Sequence, residues 1–446
     1  MSSALETLRR DFGGDIIEPG AAGYEPAARA VLASGSPAYV LRPESVRDVQ
    51  AGVRFAAGAG LALSVRGGGH AFAGFGTNDG GVVIDLGGLA NVEVIDKDRH
   101  LVRIGGGATW GQVAEALAPY GLAISSGDTK GVGVGGLTLT GGMGWKVRKH
   151  GLALDQLAAA EVVTAGGEIV RASAAENPEL FWAIRGGGGN FGIVTVFEFV
   201  AHPTTDVFYG KIAFPASESA TVLHGWADYL RTAPEELSST ATFANPFAGG
   251  AEAPVEIFVA FDGDDPELAA GAIDPIRRLG TVIGDDVALV PYADTLVDGL
   301  TPPPGIRLVT RSAFAGEESA SEVLSILTEA GASGRSPLIA VRSVGGAVSR
   351  VPGDATAYAH RGAELMLVTT IAGPEPALDA ARPALDAIWA KLAPHVTGAY
   401  ANFLASATEE DVAAIYPAPT YGRLAAVKRQ YDPGNLFAGN HNVRPQ

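Results

Sequence analysis

The sequence predicts an α+β protein built as two units, and three observations predict it. Its 446 residues exceed what one hydrophobic core usually supports. Residues 36–203 hold short apolar strands separated by glycine-rich turns: 66–74, 105–107, 127–144 and 186–192. Residues 204–395 lack such turns and alternate strand patterns (255–260, 365–370) with helical ones (217–232, 318–330, 376–392), as an α+β unit with an antiparallel sheet does. The expected organisation is a lead-in (1–35), a first unit (36–203), a second unit (204–395) and a C-terminal segment (396–446).

Apolar spacing in 4–8 and 24–32 predicts helices in the lead-in. Residues 39–43 read as a strand and 45–58 as a helix whose first turn is favoured by Ser45 and Asp48. The apolar runs 61–65 and 81–86 read as strands flanking the first glycine loop. Residues 101–104 form a further short strand, and Thr109 can cap a helix over 110–118. A strand is expected over 159–164 and another over 194–200. The proline-rich stretches 246–254 and 302–305 read as surface turns.

Composition narrows the function. Charged residues are 18% and hydrophobic ones 47%, which excludes a largely disordered chain. A formal charge of -17 repels polyanions, and no Lys/Arg cluster interrupts it, so neither a nucleic-acid partner nor an anionic membrane surface is expected. With no cysteine there is no disulfide, thiolate metal site or cysteine nucleophile, and no metal is expected. The first residues mix charge with apolar side chains and no run approaches the roughly 20 apolar residues of a membrane span, so a cytoplasmic location is expected.

The loop Arg66-Gly67-Gly68-Gly69-His70-Ala71-Phe72-Ala73-Gly74 reads as an anion cradle. Glycines let the backbone approach an anion until successive N–H groups point at it, and Arg66 adds charge and planar donors. His70, fixed between two strands, suits a turn residue, a general base or a covalent cofactor ligand. Residues 127–144 carry more glycine than a connection needs, which a backbone lying flat against a ligand explains. Gly131-x-Gly133-x-x-Gly136 and Gly187-x-Gly189-x-x-Gly192 formally satisfy a dinucleotide fingerprint. That reading fails because no apolar strand leads into the first, and Asp155 precedes its strand instead of ending it.

Arg66-Gly67-Gly68-Gly69-His70 followed by Gly81-Val82-Val83-Ile84-Asp85-Leu86 resembles the flavin-attachment segment of the vanillyl-alcohol-oxidase superfamily, in its berberine-bridge-like and 6-hydroxynicotine-oxidase branch. The resemblance recurs near 105–107, 127–155, 178–199 and 400–445. It implies a two-subdomain PCMH-type FAD-binding domain, a substrate domain, and a C-terminal segment returning to the FAD domain. It also implies FAD bonded through its 8α-methyl to His70. The matching flavin-lining positions are Arg66, Gly67, Gly68, Gly69, Ala71, Gly74, Gly127, Asp128, Gly131, Val132, Gly135, Gly136, Gly144 and Val194, with Asn440 and Asn442 on the flavin side. Some relatives carry a second linkage through a cysteine at the place of Thr129, which cannot form it, so a single linkage is implied. Val132 matches a position that gates oxygen, and a valine leaves room for it.

Tyr400-Ala401-Asn402-Phe403 resembles the Tyr-x-Asn element whose tyrosine deprotonates substrate while the asparagine supports the cofactor. Read as a strand, it puts Tyr400 and Asn402 on one face. His360, in Tyr358-Ala359-His360-Arg361, reads as a structural histidine. The implied function is an FAD-dependent oxidase: hydride leaves a carbon bearing a hydroxyl or amine, Tyr400 takes the proton, and O2 reoxidises the flavin to give H2O2. The substrate is a small alcohol, sugar or cyclic amine, and the protein a monomer or homodimer. The rivals are a dehydrogenase serving another electron acceptor and a silent flavin-binding protein.

Overall fold

The computed structural model describes residues 2–446 apart from 245–249, 300, 304 and 334–335. The turn expectations at 246–254 and 302–305 lie partly outside the described residues. The described residues form three substantial sheets, and their mixed α+β architecture is the class expected from the sequence.

In the first sheet Tyr39–Arg42, Val82–Asp85 and Leu63–Arg66 run parallel. The helix Val46–Ala59 makes the crossover between two of these strands, as parallel pairing demands. It begins at a capping box in which Ser45 and Asp48 satisfy each other's backbone N–H. Its buried Val49, Val53 and Ala56 pack against Leu41, Leu63 and Ile84. The lead-in departs from expectation: Asp15–Ile17 joins this sheet as an antiparallel edge strand. The helix expected over 24–32 is only Tyr24–Ala27, because carbonyls from its end turn toward Arg66 instead of continuing the helix.

The second sheet is antiparallel, in the order Val92–Asp96, Leu101–Gly105, Ile193–Val200, Leu157–Val163, Ile169–Ser173. Its core takes in Phe197 and Phe199, the helix Trp110–Leu117, and Leu424, Ala425 and Val427 of the C-terminal helix Ala418–Tyr431. The 127–144 stretch is not all loop. It contains the helix Val134–Thr140, whose glycines hid it from propensity but whose Val134, Leu137 and Thr138 are buried.

The third sheet has eight antiparallel strands. Cross-strand registers place Ile212, Ile257, Ala241, Val341, Leu367 and Ala313 in one row. These pack with residues of the helices Ser219–Leu230, Pro266–Arg277, Glu317–Gly331 and Glu375–Leu392. The adjacent row, one residue along each strand, is Lys211, Phe258, Thr240, Arg342, Met366 and Phe314, on the opposite face. Met366 and Phe314 there join a core with Met143, Val147 and Tyr400. Among the described residues no helix is long and apolar enough to cross a membrane, and none of their His, Cys, Asp or Glu side chains cluster as a metal site.

Candidate active site

The first glycine loop leaves the carboxyl end of Leu63–Arg66, where an open parallel sheet offers its ligand crevice. Arg66 does not reach into that crevice. Its guanidinium turns inward and donates to Arg29 O at 2.8 Å, Ala27 O at 2.7 Å and Asp85 Oδ2 at 2.9 Å. These backbone acceptors belong to the lead-in and Asp85 to the neighbouring strand, so Arg66 is a tie between elements. Its expected side-chain contribution to anion binding is thereby corrected.

The backbone carries that capacity instead. Among the described residues, the N–H groups of Gly67, Gly68, Gly69, His70 and Ala71 donate to no backbone acceptor. Such a run in a half-buried loop awaits an acceptor from a ligand or water. A Cβ on Gly68 would stand 2.4 Å from Gly133 N and 2.3 Å from Gly131 O, so the two glycine segments meet with nothing between them. Gly106 O lies 3.5 Å from the Cβ positions of both Gly67 and Gly135, and a Cβ on Gly106 would stand 2.2 Å from Val194 O. Gly69 and Gly74 hold φ of 73° and 78°, which favours glycine. Gly127 and Gly144 pack on each other, 2.6 Å from a Gly144 Cβ to Gly127 O, so both serve a backbone contact. Gly136 is exposed, with nothing over it.

The C-terminal segment comes to the same place. A Cβ on Gly439 would meet Leu63 O at 3.1 Å, and the His441 ring lies 5.1 Å from that of Phe75. Asn190 clamps the segment by donating to His441 O at 3.1 Å and accepting from Val443 N at 2.9 Å. The side-chain oxygens of Asn440 and Asn442 are buried without a partner, the condition of groups whose donor comes from a ligand. Orphaned oxygens and free backbone N–H groups together fit a large polar cofactor such as FAD.

Tyr400 and Asn402 do not lie on a strand. Tyr400 precedes a 3-10 turn, Ala401–Phe403, because its backbone is tied to the third sheet: Tyr400 N donates to Ser312 Oγ at 3.0 Å and Ser312 Oγ to Tyr400 O at 3.1 Å. The two side chains meet all the same. The Tyr400 phenol oxygen accepts from Asn402 Nδ2 at 3.0 Å and from Gly142 N at 2.9 Å. Thr140 Oγ1 donates to Asn402 Oδ1 at 2.6 Å while Asn402 Nδ2 faces the carbonyl of Leu137 at 3.4 Å. A carbonyl only accepts, so the amide orientation is determined. With two N–H donors on its oxygen, the phenol must aim its own proton elsewhere. Burial raises its pKa, opposed by Asn402, Gly142 and the charge of Arg342.

Contacts around these groups close a ring. Phe72, in the His70 loop, lies 5.8 Å from Phe403, whose ring is 5.6 Å from Tyr400. The Arg342 guanidinium sits 5.3 Å from the Phe403 ring and pairs with Asp128. Burial pushes the Asp128 carboxyl up, but Arg342, with hydrogen bonds from Thr129 and the backbone, holds the group below its ordinary value. Thr129 Oγ1 donates to Asp128 Oδ1 at 3.0 Å. The Thr129 methyl and His70 Cε1 both border Gly299, at 3.1 and 2.7 Å from its Cβ position, which returns the ring to His70. Burial lowers the His70 pKa, favouring neutral imidazole. Val132 is half-buried, its carbonyl accepting from Trp110 N at 3.0 Å. His360 is structural, stacked on Phe314 at 4.8 Å and paired with Ile415 O at 3.1 Å.

Sequence reasoning gave no role of their own to Gly142 and Phe403 and did not single out Arg342 or Gly299. The excess of glycine at 141–142 was the one signal for the first; Arg342 and Gly299 lie in a region without motifs.

Comparison with known proteins points to the same class of cofactor. Residues 37–173 match the family described as FAD binding domain, and residues 399–444 the family described as berberine and berberine like. The chain is 33% identical to (R)-6-hydroxynicotine oxidase of Paenarthrobacter nicotinovorans, over 100% of both chains. Xylooligosaccharide oxidase from Myceliophthora thermophila, solved with xylobiose, superposes with a TM-score of 0.87 at 27% identity over 99% of each chain. Glucooligosaccharide oxidase from Acremonium strictum, which carries a 6-S-cysteinyl, 8α-N1-histidyl FAD, gives 0.86 at 26% identity, over 100% of this chain and 99% of that one. This chain belongs to the same family of FAD-linked oxidoreductases, the one that holds 6-hydroxynicotine oxidase and the berberine-bridge-like oligosaccharide oxidases.

Proposed function

We propose that the protein is an oxidase that removes a hydride from a carbon bearing a hydroxyl or amine in an alcohol, sugar or cyclic amine, with O2 as final acceptor and H2O2 as product. FAD, when bound, supplies the hydride acceptor. The loop 67–71 would hold it through backbone N–H groups, with Gly131 and Gly133 packed against that loop, and Asn440 and Asn442 would hold it through side-chain amides. His70 would carry the single covalent bond, since Thr129 offers no thiol for a second. Tyr400 accepts the proton released by the substrate hydroxyl or amine. Asn402 and Gly142 aim its oxygen and favour the ionised form. The observation that carries the reading is the Tyr400 oxygen, doubly hydrogen-bonded and joined by contacts to the His70 loop.

The test is anaerobic bleaching of the purified yellow protein against a panel of secondary alcohols, mono- and oligosaccharides and cyclic amines, followed by admission of oxygen and peroxide assay. Bleaching by one class and stoichiometric peroxide are expected. Bleaching without oxygen recovery would make it a dehydrogenase, and no bleaching by any class would refute the proposal.

A further inference from the structure

We propose that residues 292–299 form a strap that completes the flavin-attachment site, and that Gly299 is the positioning residue that lets the His70 imidazole reach the cofactor methyl. The proposal rests on the reading of His70 as the covalent ligand.

The strap is anchored onto the segment beside His70. Trp145 Nε1 donates to Thr295 O at 3.2 Å, and Thr295 Oγ1 closes the turn on Tyr292 O at 2.7 Å. Leu296, 1% exposed, is buried in the core of the second sheet. Val297 then pairs with Thr129 as a parallel bridge, with Val297 N donating to Asp128 O at 2.9 Å and Lys130 N to Val297 O at 2.9 Å. The strap is a connection between strands of the third sheet, so the second unit supplies part of the wall around a ligand held by the first.

At the end of this wall Gly299 faces His70. A Cβ there would stand 2.7 Å from His70 Cε1, 3.5 Å from Nδ1 and 3.1 Å from the Thr129 methyl. Across the ring, a Cβ on Gly131 would stand 2.8 Å from Nε2. The imidazole is thus seated between two glycines, and among the described residues no hydrogen bond to a side chain or backbone group fixes its tilt. Packing alone orients it. The three atoms nearest the Gly299 Cβ position all belong to His70 and Thr129, so the missing side chain serves those two residues. Burial keeps the ring in its neutral, nucleophilic form.

The attachment balances as follows. A C–N bond forms between the imidazole nitrogen and the 8α-carbon; one methyl C–H and the ring N–H are lost. Two electrons and two protons pass to the flavin ring system and then to O2, which leaves as H2O2. Displacing the nitrogen by about 1 Å costs roughly 10²-fold in such a step.

The full-length protein and its variants are expressed with flavin, freed of unbound cofactor and precipitated with acid. The fraction of flavin left in the pellet is compared with total bound FAD. Wild type should retain it. Gly299→Ala and Gly299→Val should bind similar total FAD yet attach it about 10²-fold more slowly, so that most is released by acid. A purely structural loss would lower total FAD instead, with the pellet fraction unchanged, and would overturn the proposal. Flavin retained by both Gly299 variants but lost from His70→Ala would overturn the strap alone. Flavin released from wild type would overturn the His70 linkage and the strap with it.

Discussion

Replacing Tyr400 by Phe separates chemistry from packing. The aromatic ring touches Phe403 at 5.6 Å and Phe314 at 6.4 Å, contacts that Phe retains. What leaves is an oxygen that accepts two hydrogen bonds. The Asn402 amide keeps its Leu137 contact, whereas the buried Gly142 N–H is left without an acceptor, a cost of about 1–3 kcal/mol in stability. Loss of a proton acceptor at the reacting centre costs about 10²–10⁴ in rate. Stopped-flow reduction under nitrogen reads the rate, urea unfolding reads the stability, and substrate titration shows that binding persists. Because burial raises the phenol above its ordinary value of 10.0, the wild-type reduction rate should climb with pH on the alkaline side, as the proton leaves. That limb should vanish in the variant. Reduction at the wild-type rate with an unchanged pH profile would refute the assignment and direct attention to another base.

Three further outcomes are expected. Asn402→Leu removes a donor that pulls the Tyr400 phenol down, so the alkaline limb should move to higher pH and the rate at fixed pH should fall, read by the same stopped-flow profile. Val132→Leu should slow flavin reoxidation by O2 and leave anaerobic reduction little changed; equal reoxidation rates would remove Val132 from oxygen access. Lys428, wholly buried, donates to Asp432 at 2.7 Å, Asn190 O at 2.8 Å and Phe437 O at 2.9 Å, so Lys428→Met should destabilise the fold by about 3–5 kcal/mol in denaturant unfolding.

The sequence by itself determined what local backbone chemistry encodes. The glycine loop between two strands, the helix start at Ser45 and Asp48, and the antiparallel sheet of the second half follow from propensity, periodicity and turn residues within a few positions. The helix Val134–Thr140 escaped because its glycines argue against helix until the core claims Val134 and Leu137. Tertiary structure alone decided the partnerships. It turned Arg66 inward to carbonyls of the lead-in, brought Gly142 N to a phenol 258 residues away, and set Arg342 against Asp128 across 214 residues. It also seated His70 between Gly131 and Gly299. Such contacts depend on how sheets and loops pack, and a side chain's neighbours across a fold leave no periodic trace along the chain. The glycine loops, His70, Tyr400 and Asn402 were therefore legible as candidates, whereas Arg342, Gly299 and the working geometry of the site emerged only when the chain closed on itself.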